Sequence, residues 1–332
     1  MTPPAAEKIR LIGKALDRLS PLEADCTLCP RNCRVDRTHE ARGICRTGPR
    51  AEVSHALLHF GEEPVLSGTG ASGPGGEARA QTGSGTVFFS GCNLKCLFCQ
   101  NYQLSWLMEG RPVDDEELAA LMLGLQERGA LNINLVSPTH VVLPVLRALK
   151  IAYAQGLDIP LVWNSNGYDS LEVIRALDGI VDIYLPDLKY HSEAVARRYS
   201  GAPDYFARAS EAVLEMSLQQ PVLKLRPDGT ASRGLIIRHL VLPGHTDDSL
   251  EVLRWIGGRL SPLIGLSLMS QYHPCHKAPE EIARTLRPDE YRPALELALT
   301  LGLEHLFVQP EPFGPDEHLV PDFRKKEPFR WK

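Results

Sequence analysis

Seven of the eight cysteines in this 332-residue chain fall into two groups with the spacing of ligands. Cys92-x3-Cys96-x2-Cys99 brings three thiols onto one short loop, and Cys26-x2-Cys29-x3-Cys33-x11-Cys45 brings four into the first fifty residues. Three thiolates on one centre leave a coordination position open. In a zinc site that position admits water or substrate; in an iron–sulfur cube it leaves one iron for a non-protein ligand. The alternative, buried cysteines acting as small hydrophobes, gives no reason for them to crowd beside Gly91 and Asn93. Four thiolates can close a tetrahedral shell around zinc or hold all four irons of a second cluster. The Cys29-Pro30 step is a feature of iron–sulfur runs, and Arg31, Arg34, Arg37, Arg42 and Arg46 would offset thiolate charge. A short N-terminal lobe also gains most from a metal staple. Cys275 stands alone, and His273-Pro274-Cys275-His276 has nothing to pair with.

Hydrophobic periodicity predicts the elements that must position these groups. TVFFS (86–90) reads as a buried strand that ends at the second cysteine group. Residues 114–128 form a helix, capped by Asp114 or Asp115, with Leu118, Leu121, Met122 and Leu125 as its apolar stripe. Further strands are predicted at 132–136, 161–165, within 181–189, at 235–243 and at 263–269. Helices lie between and after them, at 141–155, 170–177, up to about 217, 248–259 and 288–301. Six strands alternating with helices is the pattern of parallel βαβ units. Right-handed crossovers would roll them into a partial (β/α)6 TIM-like barrel, fold class α/β, with a small cysteine-rich N-terminal lobe. The organisation read from this is a lobe over 1–66, a Gly-rich linker over 67–85, a core barrel over 86–310 and a tail over 311–332. The carboxyl ends of such strands collect the chemistry. Here they are the cysteine loop, then SPTH (137–140), NSNGY (164–168), PDLKY (186–190), PGHTD (243–247) and MSQYHP (269–274).

Composition excludes several classes. With 43% hydrophobic and 23% charged residues and a formal charge of −5, there is no basic footprint for nucleic acid. No run reaches the ~18 apolar residues of a membrane span, and the start lacks the apolar stretch of a secretory signal. The expectation is a cytoplasmic protein without disulfides. Gly68-Thr-Gly70-Ala-Ser-Gly73 matches a dinucleotide fingerprint, but no helix follows, so it is rejected. Residues 70–82 look like an insertion. His140, His239, His245 and His273 read as hydrogen-bonded histidines rather than ligands, and residues 318–332 as a solvated terminus.

Cys92-x3-Cys96-x-Phe98-Cys99 after the first strand of a six-strand α/β chain resembles the signature of radical S-adenosylmethionine (SAM) enzymes. GCNLKCLFCQN (91–101), HLVLPG (239–244) and DIYLPDLK (182–189) look most like the pyruvate formate-lyase activating enzyme group. The resemblance implies a [4Fe–4S] cluster on Cys92, Cys96 and Cys99, with SAM chelating the fourth iron. Its reductive cleavage would give a 5′-deoxyadenosyl radical that abstracts hydrogen from a substrate. No side chain is singled out as catalytic. Phe98 would lie near the adenine. Ser137 and Thr139 stand where the family often has Gly-Gly-Glu, a departure from its pattern. Asn164, Asn166, Asp187, Lys189 and Arg238 resemble the cofactor-binding ends of the third, fourth and fifth strands, and a cation there could pair with the SAM carboxylate. The expected partners are a glycyl radical enzyme or other protein substrate and a one-electron donor such as flavodoxin or ferredoxin. The competing reading is a non-catalytic iron–sulfur or zinc protein, for electron transfer or scaffolding, on a barrel that has lost SAM chemistry.

Overall fold

The computed structural model describes residues 3–39, 42–68, 82–309 and 320–329. Its strands are β1 (Ala51–His59), β2 (Ser84–Phe89), β3 (Arg111–Val113), β4 (Ile133–Val136), β5 (Leu161–Asn164), β6 (Ile183–Tyr184), β7 (Lys224–Leu225), β8 (Ala231–Leu240), β9 (Gly265–Met269) and β10 (His305–Val308). They order as β10-β9-β8-β6-β5-β4-β2-β1-β3, with β7 pairing off this path to β8. From β2 to β10 every neighbour in that path is parallel. β10 and β3 are at opposite ends of the order, so the sheet is an open, partial barrel, as expected for α/β.

All six predicted strands are present, some with shifted ends: β2 begins at Ser84, and 181–189 contributes only Ile183–Tyr184 as strand. The structure adds a seventh parallel strand, β10, after helix Pro288–Thr300. It also adds the antiparallel flank β1–β3, both pairing through β1. β1 comes from the segment read as the N-terminal lobe, and it hydrogen-bonds β2 over His59↔Ser84 to Val53↔Phe89. Of the segment read as a linker, Ser67 ends a one-turn helix (Pro64–Ser67) and Ser84 opens β2. Residues 69–81, with most of the rejected glycine motif and of the 70–82 insertion, lie outside the described residues. Among the described residues no helix is long and apolar enough to cross a membrane.

Two packing arrangements fix the barrel. Helix Ala5–Leu19 turns Ile12, Ala15 and Leu19 inward, joining the same core as Val145, Leu149 and Ala152 of helix Val142–Ala154. Its Lys8 is buried, with Nζ 2.5 Å from Asp182 Oδ2 and 3.0 Å from the Tyr153 hydroxyl. Asp182 Oδ2 also accepts from the Leu161 amide, so one carboxylate ties β5 to the N-terminal helix. Val65 and Leu66 of the one-turn helix join Val162, Ile183, Leu185 and Ile236 in a second apolar cluster, which packs chain from before the glycine-rich stretch against the strands.

Lys8→Ala would leave Asp182 buried without its counter-charge. We expect a loss of about 3–5 kcal/mol in urea unfolding, the range for breaking a buried pair. Lys8→Met/Asp182→Leu should recover much of it, and a single variant within about 0.5 kcal/mol of wild type would contradict the assignment.

Candidate metal and cofactor site

The strand–loop boundary builds the three-cysteine group. β2 ends at Phe89, and Gly91, with φ +86°, turns the chain so that Cys92, Cys96 and Cys99 open onto one cavity of about 550 Å³. Lys95, just before Cys96, has φ +54°, a conformation non-glycine residues adopt only when their surroundings hold them there. Each sulfur is met by donors. Cys92 Sγ accepts from the Leu94 amide (3.4 Å) and Asn166 Nδ2 (3.4 Å). Cys96 Sγ accepts from the Ser200 hydroxyl (3.2 Å) and Cys99 Sγ from that of Ser105 (3.2 Å). Burial pushes the Cys92 thiol up and that of Cys99 up to about 12, so the thiolates need cationic iron or zinc as partner. Sulfurs that accept N–H and O–H bonds and face an open cavity fit a three-thiolate cluster with one exchangeable position.

The predicted cofactor contacts assemble on the same cavity with one exception. Phe98, Ser137, Asn164, Asn166, Asp187, Lys189 and Arg238 all line it. Phe98 is held edge-on by Tyr190, Tyr199 and Tyr272, at centroid separations of 6.5, 6.0 and 5.6 Å. Ser137 sits in the left-handed region (φ +54°) at the end of β4. Lys189 Nζ lies 2.6 Å from Asp187; burial works against its charge, but Asp187 and the nearby thiols hold its pKa above the ordinary value. Gly167 has φ +79°, and a Cβ there would lie 2.1 Å from the Asp187 carbonyl oxygen, so the turn after Asn166 admits glycine alone. Thr139 is the exception. Its side chain is buried away from the cavity and donates to Asp169 at 2.5 Å, as Ser165 does. It braces the loops after β4 and β5.

Arg238 has its anionic partners within the protein: Glu63, through both carboxylate oxygens (2.8 and 2.7 Å), and Glu62. Burial alone would raise the Glu63 carboxyl, but the guanidinium holds it below its usual value. These two glutamates, with His59, form part of the cavity wall, and the sequence reading missed them. The one local signal was Glu62-Glu63-Pro64 ahead of a short apolar run. The tail also departs from a solvated terminus. Gln103 brackets it, donating to Asp322 (3.0 Å) and accepting from the Phe323 amide (2.6 Å). Phe323 packs on Phe88 (5.1 Å), and Phe329 lines the cavity.

Cys26, Cys29, Cys33 and Cys45 line a second, smaller cavity together with His140. Asn32 and Arg34, on either side of Cys33, and Arg46, after Cys45, all have positive φ, and the Ile44 amide donates to Cys33 Sγ at 3.4 Å. Burial pushes Cys29 up to about 12. Three of the four histidines are hydrogen-bonded as expected: His140 bonds the Ser90 carbonyl (2.9 Å), His239 that of Leu188 (2.7 Å) and His245 the Tyr199 hydroxyl (2.7 Å), whereas His273 buries its Nδ1 without a hydrogen-bond partner among the described residues. Burial drives His140 down to about 4, leaving it neutral. His273 lines the large cavity, and Cys275 is buried and lines neither.

A family model of the Radical SAM superfamily matches residues 86–256. The uncharacterized protein MJ0674 of Methanocaldococcus jannaschii is 32% identical over 295 residues, covering 85% of this chain and 77% of its own length. MJ0808 of the same organism is 23% identical over 305 residues, 88% of this chain and 83% of its own. Among solved structures, Streptococcus suis SuiB aligns with a TM-score of 0.46 at 14% identity, over 67% of this chain and 47% of its own. anSMEcpe with bound AdoMet aligns with a TM-score of 0.43 at 13% identity, over 66% and 60%. The chain therefore spans less than two thirds of either solved protein.

The Arg238 trio can be tested without any cofactor. Arg238→Met would strand two carboxylates in the cavity wall, and we expect a loss of about 3–5 kcal/mol at neutral pH by urea unfolding. Glu63, ionised below its usual range, contributes stability present above its unfolded pKa and lost as pH falls through its folded one. The gap between wild type and variant should therefore narrow in acid; a gap constant with pH would contradict the pairing.

Proposed function

The chain belongs to the radical SAM superfamily, and on that premise we propose that it is an enzyme that cleaves SAM reductively and abstracts hydrogen from a substrate held in the 550 Å³ cavity. The observation that carries this is the convergence of Cys92, Cys96 and Cys99 with the polar ends of β4, β5, β6 and β8 on that one cavity. When bound, a [4Fe–4S] cluster supplies one electron to the sulfonium of SAM, yielding methionine and a 5′-deoxyadenosyl radical.

The protein's share is to position and exclude. Asn166 ties the sites together, donating to Cys92 Sγ and to Asn93 Oδ1 (2.8 Å) and accepting from the Tyr168 amide (3.0 Å). Phe98, fixed by three tyrosines, offers a flat apolar face for the adenine. Lys189, paired with the single carboxylate of Asp187 where Arg238 is paired with two, is the ammonium that would meet a SAM carboxylate. Arg238 is committed to Glu62 and Glu63, so its role here is to hold these carboxylates and to donate to Asn164 Oδ1 at 3.4 Å. The likeness of GCNLKCLFCQN and DIYLPDLK to the activating enzymes makes a glycine of a partner protein the first substrate to try, with an external flavodoxin or ferredoxin as donor.

Anaerobic reconstitution with iron and sulfide, reduction by dithionite and addition of SAM should yield 5′-deoxyadenosine and methionine in equal amounts by mass spectrometry. Cys96→Ala should reduce the yield at least a hundredfold. A wild-type protein that takes up iron yet forms no 5′-deoxyadenosine would instead support the non-catalytic reading.

A further inference from the structure

Three cations gather at one edge of the three-cysteine loop with no carboxylate among them. Trp106 is their centre. Lys95 and Lys277 lie over its ring at 5.1 and 5.2 Å, and Arg46 donates to its carbonyl at 2.8 Å. Among the described residues none of the three takes part in an ion pair. Glu109 and Glu281, acids close by in the chain, lie instead against Arg324 (3.8 Å) and Arg198 (2.9 Å). Arg46 and Lys277 are exposed, and Lys95 and Trp106 half-buried. Ile44 and Leu107, large apolar side chains beside them in the chain, are 47% and 50% exposed. Like charges brought together repel, and the chain as a whole carries −5. An uncompensated basic edge built around a tryptophan is therefore a local feature, with the composition of an interface rather than of ordinary solvated surface.

Its place against the loop bears on the partner. Trp106 Nε1 donates to the Cys96 carbonyl (3.1 Å), and the Lys277 amide to that of Leu97 (3.0 Å). One hydrogen bond and the Cys96 residue itself thus separate the indole from a sulfur of the three-cysteine group. Other sides of the loop are already occupied. Arg31 covers it from the N-terminal segment, with Nε on the Asn93 carbonyl (2.7 Å) and Nη2 on that of Leu94 (3.0 Å). The Leu97 amide is bonded to the Tyr199 carbonyl (2.8 Å). The remaining side is the cavity of about 550 Å³, which none of Arg46, Lys95, Trp106 and Lys277 lines. A space of that size takes small molecules, not a folded protein.

Two roles for these cations make different demands. Cations that only offset thiolate charge would affect reduction of the site by every reductant alike. A docking surface affects reduction by a protein and leaves a small reductant untouched, and its effect falls as salt screens the exposed charges.

We propose that the edge formed by Trp106, Arg46, Lys95 and Lys277 is the docking surface for an acidic one-electron carrier protein. Carboxylates of the carrier meet the three cations, and its redox centre comes up against the Trp106 side of the loop. In each encounter the carrier is oxidised by one electron and the cluster on Cys92, Cys96 and Cys99 is reduced by one. This rests on the SAM-cleaving reading of the three-cysteine site, and the test separates the two.

The probe is flavodoxin, an acidic flavin carrier, with the full chain reconstituted anaerobically. Oxidised flavodoxin should bind wild type in titration calorimetry at low salt, and more weakly as salt is raised. Lys277→Glu, which keeps the amide that bonds Leu97, should weaken binding at least tenfold at low salt while holding as much iron as wild type. Arg259→Glu reverses an exposed charge in the last turn of helix Thr246–Arg259, which leads away from the strands' carboxyl ends, and should stay within twofold. In stopped flow, reduced flavodoxin should reduce Lys277→Glu at least tenfold more slowly than wild type, and dithionite should reduce both at the same rate. Absence of binding to wild type, or equal binding by Lys277→Glu, would overturn the docking surface. So would a variant slowed as much with dithionite as with flavodoxin, which would leave the cations the role of offsetting thiolate charge. Binding of oxidised flavodoxin tests the surface by itself. If dithionite-reduced wild type shows no SAM-dependent change in its electron paramagnetic resonance signal, it is the underlying reading that fails.

Discussion

A thiolate held out of water needs either hydrogen-bond donors or a cation, and this chain places two groups of cysteines where both are arranged around them. Burial works against ionisation at Cys29, Cys92 and Cys99. The surroundings answer with the Leu94 and Ile44 amides, the Ser105 and Ser200 hydroxyls, and Asn166. These donors come from loops far apart in sequence, so the loops cannot move independently. Non-glycine residues with positive φ flank the cysteines on both loops, strain that persists only because neighbouring contacts over-determine it. The barrel serves this end. Parallel strands deliver the cysteine loop, the Asn164–Gly167 turn and the Asp187–Lys189 segment to one rim; Arg31 fastens the N-terminal segment there, and Lys8–Asp182 fastens helix Ala5–Leu19 at the amino-terminal ends of β5 and β6.

Much of the rim was legible because its signals are local. A strand ending at Cys92, the spacing of the three thiols and the Asn-Gly turn are each contained in a dozen residues, and the six strands that carry the rim announce themselves as short apolar runs. What the sequence reading missed depends on distant partners. Glu62 and Glu63 look like ordinary surface acids until Arg238, some 175 residues on, is found across the cavity. β1 alternates too weakly to be distinguished from loop, and becomes a strand by pairing on both sides, with β2 and β3. The 320–329 segment is rich in base and aromatic residues, as a solvated terminus can be; Gln103 and Phe88 supply the anchorage. Thr139 looked equivalent to Ser137 as a ligand, and only the side on which Asp169 lies separates them.

The boundaries of the family match carry a further implication. Residues 86–256 include the cluster cysteines and every cavity residue inferred from the superfamily pattern. Outside that range the cavity wall includes His59, Glu62 and Glu63, Ser267 and Met269 of β9, Tyr272 and His273, Phe307–Gln309 and Phe329. The region matched by the superfamily thus carries the three-cysteine loop and the polar strand ends, and the flanks complete the wall around them. Those additions are chemically uneven. The segment before the glycine-rich stretch contributes two carboxylates against one guanidinium, whereas the tail contributes aromatic surface packed on His59 and Phe88.

That unevenness constrains what the cavity can hold. A group placed by Glu62 and Glu63 meets an excess of negative charge in a partly desolvated site, where a donor or cation is favoured and an anion disfavoured. A group entering beside Phe329 meets a ring already packed at 4.5 Å on His59 and at 5.6 Å on Phe88. Since Gln103, immediately C-terminal to the cysteine loop region, is the residue that pins the tail, the tail's position and the cysteine loop's are mechanically linked. Gln103 belongs to helix Tyr102–Ser105, whose Ser105 donates to Cys99, so the segment that carries Phe323 and Phe329 is tied to the cysteine loop through one short helix. The outer wall of the cavity is therefore part of the support of the cysteine loop itself.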